Sequence, residues 1–134
     1  MRDPYIFGNE AFAMFEHNWE ERGLVRRFSG HVTADELSRS AILGQQDPRF
    51  DTMRYVINDF RDCSSVDVPP EAVEEISATD AGAAMTNTSI RIATVSDNPA
   101  ILAISDMYEK AGYSPYPVRN FSTIDAARKW LSEK

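Results

Sequence analysis

At 134 residues, 43% of them hydrophobic and 26% charged, the chain has the size and composition of one globular domain that buries a core without disulfide or metal staples. Its 14 Lys and Arg against 21 Asp and Glu leave a formal charge of -7, which repels polyanions and argues against nucleic acid as a partner. Cys63 is the only cysteine, so an internal disulfide and a multi-thiolate metal site are both excluded.

The opening MRDPYIFGNEAFAMF lacks the basic flank and apolar run of a secretory leader, and no stretch approaches the roughly 18 apolar residues of a membrane span. The cytoplasm is the expected compartment, and residues 1–10 are expected either to add a strand or to lie loose on the surface. Short alternating patterns at Ala11–Phe15 and Leu24–Ser29, separated by a polar stretch ending in Gly23, predict an antiparallel pair. Thr33-Ala-Asp-Glu36 is a capping box, with the Thr33 hydroxyl accepting from the Glu36 amide while the Glu36 carboxylate reaches back. The helix it opens is predicted to bury Ala34, Leu37, Ala41 and Gly44 and to end at Asp47-Pro48.

Tyr55-Val-Ile57 is continuously apolar and then meets Asn58-Asp-Phe60, as in a central strand covered on both faces that opens into a polar loop. Pro69-Pro70 starts a second helix with Val73 and Ile76 inward, and Asp80 breaks its apolar face, which predicts a short helix. Ile90–Val95 reads as a strand, and Asn98-Pro99 caps a third helix with Ile101, Ile104, Ser105, Tyr108 and Ala111 inward. Gly112 is placed to end that helix in the left-handed conformation. Tyr116–Phe121 follows as an edge strand because Pro117 cannot donate to a ladder. Ser122-Thr-Ile-Asp125 caps a last helix with Ile124, Ala127 and Leu131 inward. The order ββαβαβαβα predicts a single mixed α/β domain over residues 1–134, with a mostly parallel sheet of four to five strands and crossover helices.

In that order, Phe28-Ser-Gly-His-Val-Thr33, Asp47-Pro-Arg-Phe50, Tyr55-Val-Ile-Asn-Asp-Phe-Arg-Asp62, Ile90–Val95 before Tyr108, and Phe121-Ser-Thr-Ile-Asp-Ala-Ala-Arg-Lys-Trp-Leu131 follow one another through most of the chain. Together they resemble the small STAS, or SpoIIAA-like, domains of the stand-alone bacterial type and their CRAL-TRIO-like relatives. The resemblance implies a SpoIIAA-like fold and a regulatory, protein-binding role. In STAS regulators of the anti-sigma-factor-antagonist type, a serine at the start of the helix after the central strand is phosphorylated by a partner kinase. Here that place reads Val66-Asp-Val-Pro-Pro-Glu71, with no Asp-Ser-Ser-Gly, so the phosphoswitch is not carried over. Ser64 and Ser65 lie just before it, as turn residues or as sites of modification.

Asp59, Arg61, Asp62 and Asp67, with Ser64 and Ser65, gather at the C-terminal end of the expected central strand, where such sheets bind ligands or partners. Mutual pairing of Arg61 with a carboxylate is the competing structural role. Cys63 and His31 match no nucleophile motif, and acidic neighbours disfavour the Cys63 thiolate. His17 and His31 belong to no ligand spacing, and neither GxGxxG nor GxxxxGK[ST] occurs, so no metal and no cofactor is expected. Receiver domains also carry an acidic cluster, but Arg119 stands where their lysine would be. Tyr5, Phe12, Phe15, Trp19 and Phe28 crowd the N-terminal third, and Tyr113-Ser-Pro-Tyr-Pro117 forms a compact turn. These aromatics pack the core or line an apolar pocket or dimer interface, and Trp19 in a hairpin loop is the hardest to bury.

The expected function is a non-catalytic STAS-like protein-interaction or regulatory module that binds a protein partner or itself as a homodimer. The alternative is a small apolar or lipid-like ligand-binding protein, and an enzyme working through Asp59 and Asp62 ranks below both.

Overall fold

The computed structural model describes the backbone of residues 2–6 and 14 and all of residues 15–133. Six strands form one sheet in the order β1 (Arg2–Ile6), β2 (Met14–Glu20), β3 (Gly23–Thr33), β4 (Tyr55–Asp67), β5 (Arg91–Val95) and β6 (Val118–Phe121). The first two pairings are antiparallel and the last three, β3 with β4, β4 with β5 and β5 with β6, are parallel. Crossovers are made by α1 (Ala34–Gln46) with a 3₁₀ turn at Pro48–Thr52, α2 (Pro70–Ala83) and α3 (Pro99–Ala111), while α4 (Ile124–Leu131) closes the described chain.

Strand alternation sorts side chains onto two faces. Leu24 and Phe28 of β3, Val56 and Phe60 of β4 and Ile92 of β5 enter two apolar clusters beneath α1, α2 and α3. Val25, Tyr55, Ile57, Ala93 and Val95 pack on the opposite side with Ile124, Ala127, Trp130 and Leu131 of α4. Phe28 and Phe60 stack across the β3–β4 ladder with ring centroids 4.8 Å apart, so the long parallel pair is joined by aromatic packing as well as by backbone.

The predicted helix signals hold. Glu36 N donates to Thr33 Oγ1 at 3.3 Å and Thr33 N donates to Glu36 Oε1 at 3.2 Å, so the capping box is complete. Asn98 Oδ1 accepts from Ala100 N, and Gly112 ends α3 at φ 74°. Within α1, Ala41 and Gly44 are buried as predicted, and Glu36 and Ser40 are buried with them. Trp130 of α4 is buried although the stripe of Ile124, Ala127 and Leu131 omits it.

Four expectations are corrected. The polar stretch before Gly23 is strand, because Phe15, His17 and Trp19 point into the core while Glu16, Asn18 and Glu20 alternate with them. Trp19 therefore lies in β2, 8% exposed, beneath the Arg49 guanidinium 4.1 Å from its ring centre. Beyond Asn58 the chain stays in β4 to Asp67 instead of opening into a loop, held by pairing with β3 through two register shifts. Asp80 does not shorten α2, because Gln45 Nε2 and Tyr108 Oη donate to its carboxylate at 2.7 and 2.5 Å inside a 14-residue helix. The extra strand left open for residues 1–10 is present, since Arg2–Ile6 pairs with β2 and joins the five expected strands in the sheet. The last strand starts at Val118, and its edge position is as expected, with Pro117 contributing only a carbonyl to Ile92 N. The expected strand residues Ala11–Ala13 and the side chains of Tyr5 and Phe12 lie outside the described residues.

Candidate functional site

The charged end of β4 is built by its register with β3. Arg27 faces Asp59, and after the first shift Ser29 faces Asp62, which inserts Phe60 and Arg61 opposite Phe28 alone. That offset places Asp59, Asp62, Arg61 and Arg27 together. Arg61 donates from Nε and Nη2 to the two Asp59 oxygens at 2.9 Å each, and its backbone N reaches Asp59 Oδ1 at 3.1 Å. Arg27 Nε donates to Asp62 Oδ2 at 3.0 Å, and its Nη2 contacts the same oxygen. Burial raises the Asp59 carboxyl, but the hydrogen bonds and charge of Arg61 outweigh it and hold the group below its ordinary value. Two cations and two anions thus neutralise one another.

Around this quartet, His31 Nδ1 lies 2.7 Å from Ser65 Oγ, and Cys63 Sγ donates to the Ser65 carbonyl at 3.2 Å. Burial pushes the Cys63 thiol up, so it stays protonated and weakly nucleophilic at neutral pH. Ser64 and Asp67 are exposed on the same strand. The described pairing of β4 with β5 ends at Asp59 opposite Val95, so residues 60–67 pair with β3 alone. The predicted residues therefore share one projecting strand end, although as strand rather than loop. The competing role for Arg61, pairing with a carboxylate, is also present.

A second feature lies between the sheet and the helices. A cavity of about 80 Å³ is walled mostly by Leu37, Phe60, Val73, Ile76, Ile101 and Ile104, with Arg26, Asn58, Asp80 and Tyr108 among its polar lining. A smaller cavity of about 30 Å³ shares Arg26, Asp80 and Ile92 with it. Arg26 lies opposite Asn58 in the ladder and donates from Nε to Asn58 Oδ1 at 2.7 Å. Burial pulls the Arg26 guanidinium below its ordinary value against the opposing charge of Asp80. Burial also raises the Asp80 carboxyl, although Tyr108, Arg26 and Gln45 all favour its charged form. Tyr108 is pushed well up by burial and by Asp80.

Sequence reasoning missed this cluster, but two signals for it were present. Arg26 occupies an inward position between Leu24 and Phe28 in the strand alternation, and Asp80 interrupts the apolar face of α2. Each is a polar residue at a core position, which a fold keeps when it has a partner or a task for it. Among the described residues, no three His, Cys, Asp or Glu side chains converge as metal ligands, and no helix is long and apolar enough to cross a membrane.

A mixed sheet with three helices on one face and a short helix on the other is the SpoIIAA-like, or STAS, fold. The anti-sigma factor antagonist SpoIIAA in its unphosphorylated form superposes with a TM-score of 0.58 at 11% identity, covering 89% of this chain and 99% of that one. An uncharacterised DUF3478 protein with a SpoIIAA-like fold from Shewanella loihica PV-4 gives 0.53 at 12% identity over 95% of this chain and 99% of that one. The Bacillus cell fate determinant SpoIIAA in its phosphorylated form gives 0.53 at 9% identity over 87% and 98%. No family model matches the chain, and no curated protein matches it in sequence.

Proposed function

We propose that this chain is a non-catalytic STAS-like interaction module that engages a protein partner through the projecting end of β4. The observation that carries this reading is the run of residues 60–67, which pairs on one side only and bears exposed Arg61, Asp62, Ser64, Ser65 and Asp67. An extended segment of a partner, or of a second copy, has main-chain groups to pair with there and side chains of both signs to read. The SpoIIAA-like fold supports the reading, since SpoIIAA is an anti-sigma factor antagonist. The phosphorylatable serine motif is absent from Val66–Glu71, so contact at this end is set by fixed charge rather than by a phosphoswitch. Arg61 is committed to Asp59 and Cys63 remains a protonated thiol, so neither of these two side chains is poised for catalysis. Affinity capture from the native host tests this with Ser64→Arg and Asp67→Arg, both at exposed positions. Loss of the captured partner or of self-association with unchanged thermal unfolding is expected. Retention unaffected by both variants contradicts the assignment.

The cavity favours a second reading, a binding site for a small apolar or lipid-like ligand. Its walls are mainly aliphatic side chains of α2 and α3, and it lies beneath the helices rather than in the sheet edge. Native mass spectrometry of the freshly purified chain tests it: a bound small molecule lost in Val73→Trp is expected, and an unliganded wild-type protein that also binds no added apolar compound contradicts it.

A further inference from the structure

Arg26 is a half-buried cation on the helix-covered face of the sheet. Its guanidinium has five N–H donors, of which Nε–H is used by Asn58, and neither Nη has a hydrogen-bond acceptor among the described residues. No carboxylate lies within ion-pair distance of it there; the nearest acid in the cavity wall, Asp80, already accepts from Gln45 and Tyr108. Arg26 lines both cavities, so its guanidinium borders the space between the sheet and the helices. A half-buried guanidinium with unused donors is a ready partner for an anion that enters that space.

We infer that the larger cavity takes a small amphipathic monocarboxylate, its carboxylate held by the Nη groups of Arg26 and its hydrocarbon packed among Val73, Ile76, Ile101 and Ile104. The inference rests on the ligand-binding reading above and names the ligand's chemistry. A planar carboxylate matches two parallel N–H donors of a guanidinium. The head group's charge is limited to one because Arg26 is the only cation in the lining and Asp80 faces the same space from α2, so a phosphate dianion would be under-neutralised. Asn58 and Tyr108, from β4 and α3, complete a polar end against an otherwise aliphatic chamber. Size follows from volume: one water needs on the order of 10–15 Å³ of such space, so about 80 Å³ accommodates roughly six waters, or an acid of about four to six carbons, since a methylene takes about as much room as a water.

The test is calorimetric titration of the full chain with straight-chain carboxylates from acetate to decanoate, with the 1-alcohols of equal length as neutral probes and hexyl phosphate as a dianionic one. The expected result is tightest binding between butanoate and hexanoate, at least tenfold tighter than the matching alcohol, with Arg26→Met abolishing that preference while alcohols still bind. Alcohols binding as tightly as carboxylates would overturn the carboxylate assignment and leave the cavity as an apolar site, and hexyl phosphate binding as tightly would overturn the restriction to a single charge. Failure of every probe would overturn the ligand-binding reading as well. If Arg26→Met does not fold, the wild-type comparison of head groups decides the matter alone.

Discussion

Arg26 and Asn58 face each other in the parallel β3–β4 ladder, and the guanidinium Nε donates to the amide oxygen at 2.7 Å. This bond fixes the direction of a cation inside an aliphatic chamber. Asn58→Leu removes the acceptor and keeps the volume, so it is expected to cost about 1.5–3 kcal/mol, the range for a hydrogen bond to a charged group. Urea unfolding measures it, and an unchanged midpoint would mean that Arg26 finds its support elsewhere.

His17 gives the clearest pH dependence. It is 1% exposed, with Nε2 2.8 Å from Ser40 Oγ, and burial first, then the charge of Arg26, lower its pKa to about 3. The native state therefore keeps the imidazole neutral while the unfolded chain protonates it below pH ~6.5. Stability from this group is complete above that value and declines as pH falls toward 3, by about 2 kcal/mol at pH 5. His17→Gln should be less stable at pH 7 yet lose less between pH 7 and 5 than the wild type. Parallel urea midpoints for the two proteins would contradict this.

Two helix ends rest on single residues. Thr33→Ala removes the side-chain half of the α1 capping box and should cost about 1 kcal/mol. Gly112→Ala places a Cβ at φ 74° and should cost about the same through backbone strain. Thermal unfolding checks both, and the effects should add because the sites are at opposite ends of different helices.

On the other face, Ile57 is fully buried between the sheet and α4. Ile57→Ala is expected to cost about 2–5 kcal/mol through lost burial and the space it leaves. Near-ultraviolet circular dichroism of Trp130, which packs in the same cluster, should weaken with it, whereas a small stability loss would indicate that α4 collapses onto the gap.

The helix caps were legible because they depend on a few neighbouring residues: Thr33 with Glu36, Asn98 before Pro99, and Gly112 after α3. The order of strands and helices was legible for a similar reason, since period and punctuation are local. What was not legible depends on partners distant in sequence. Asp80 looks like a helix breaker until Gln45 and Tyr108, 35 and 28 positions away, donate to it. Trp19 looks exposed until Arg49 covers it, and the polar end of β4 looks like a loop until β3 supplies its pairing. The charged residues predicted for the site do gather, because they share that strand, but Arg26 contributes to a site only once α2 and α3 close over the sheet.

Site-specific photo-cross-linking in the native host tests the interaction reading most directly. A benzophenone side chain placed at Ser64, on the exposed end of β4, is predicted to form a covalent adduct with a partner or a second copy. The same group at Met85, 90% exposed on the loop after α2, is predicted to give none. Adducts from Met85 with none from Ser64 would contradict the account.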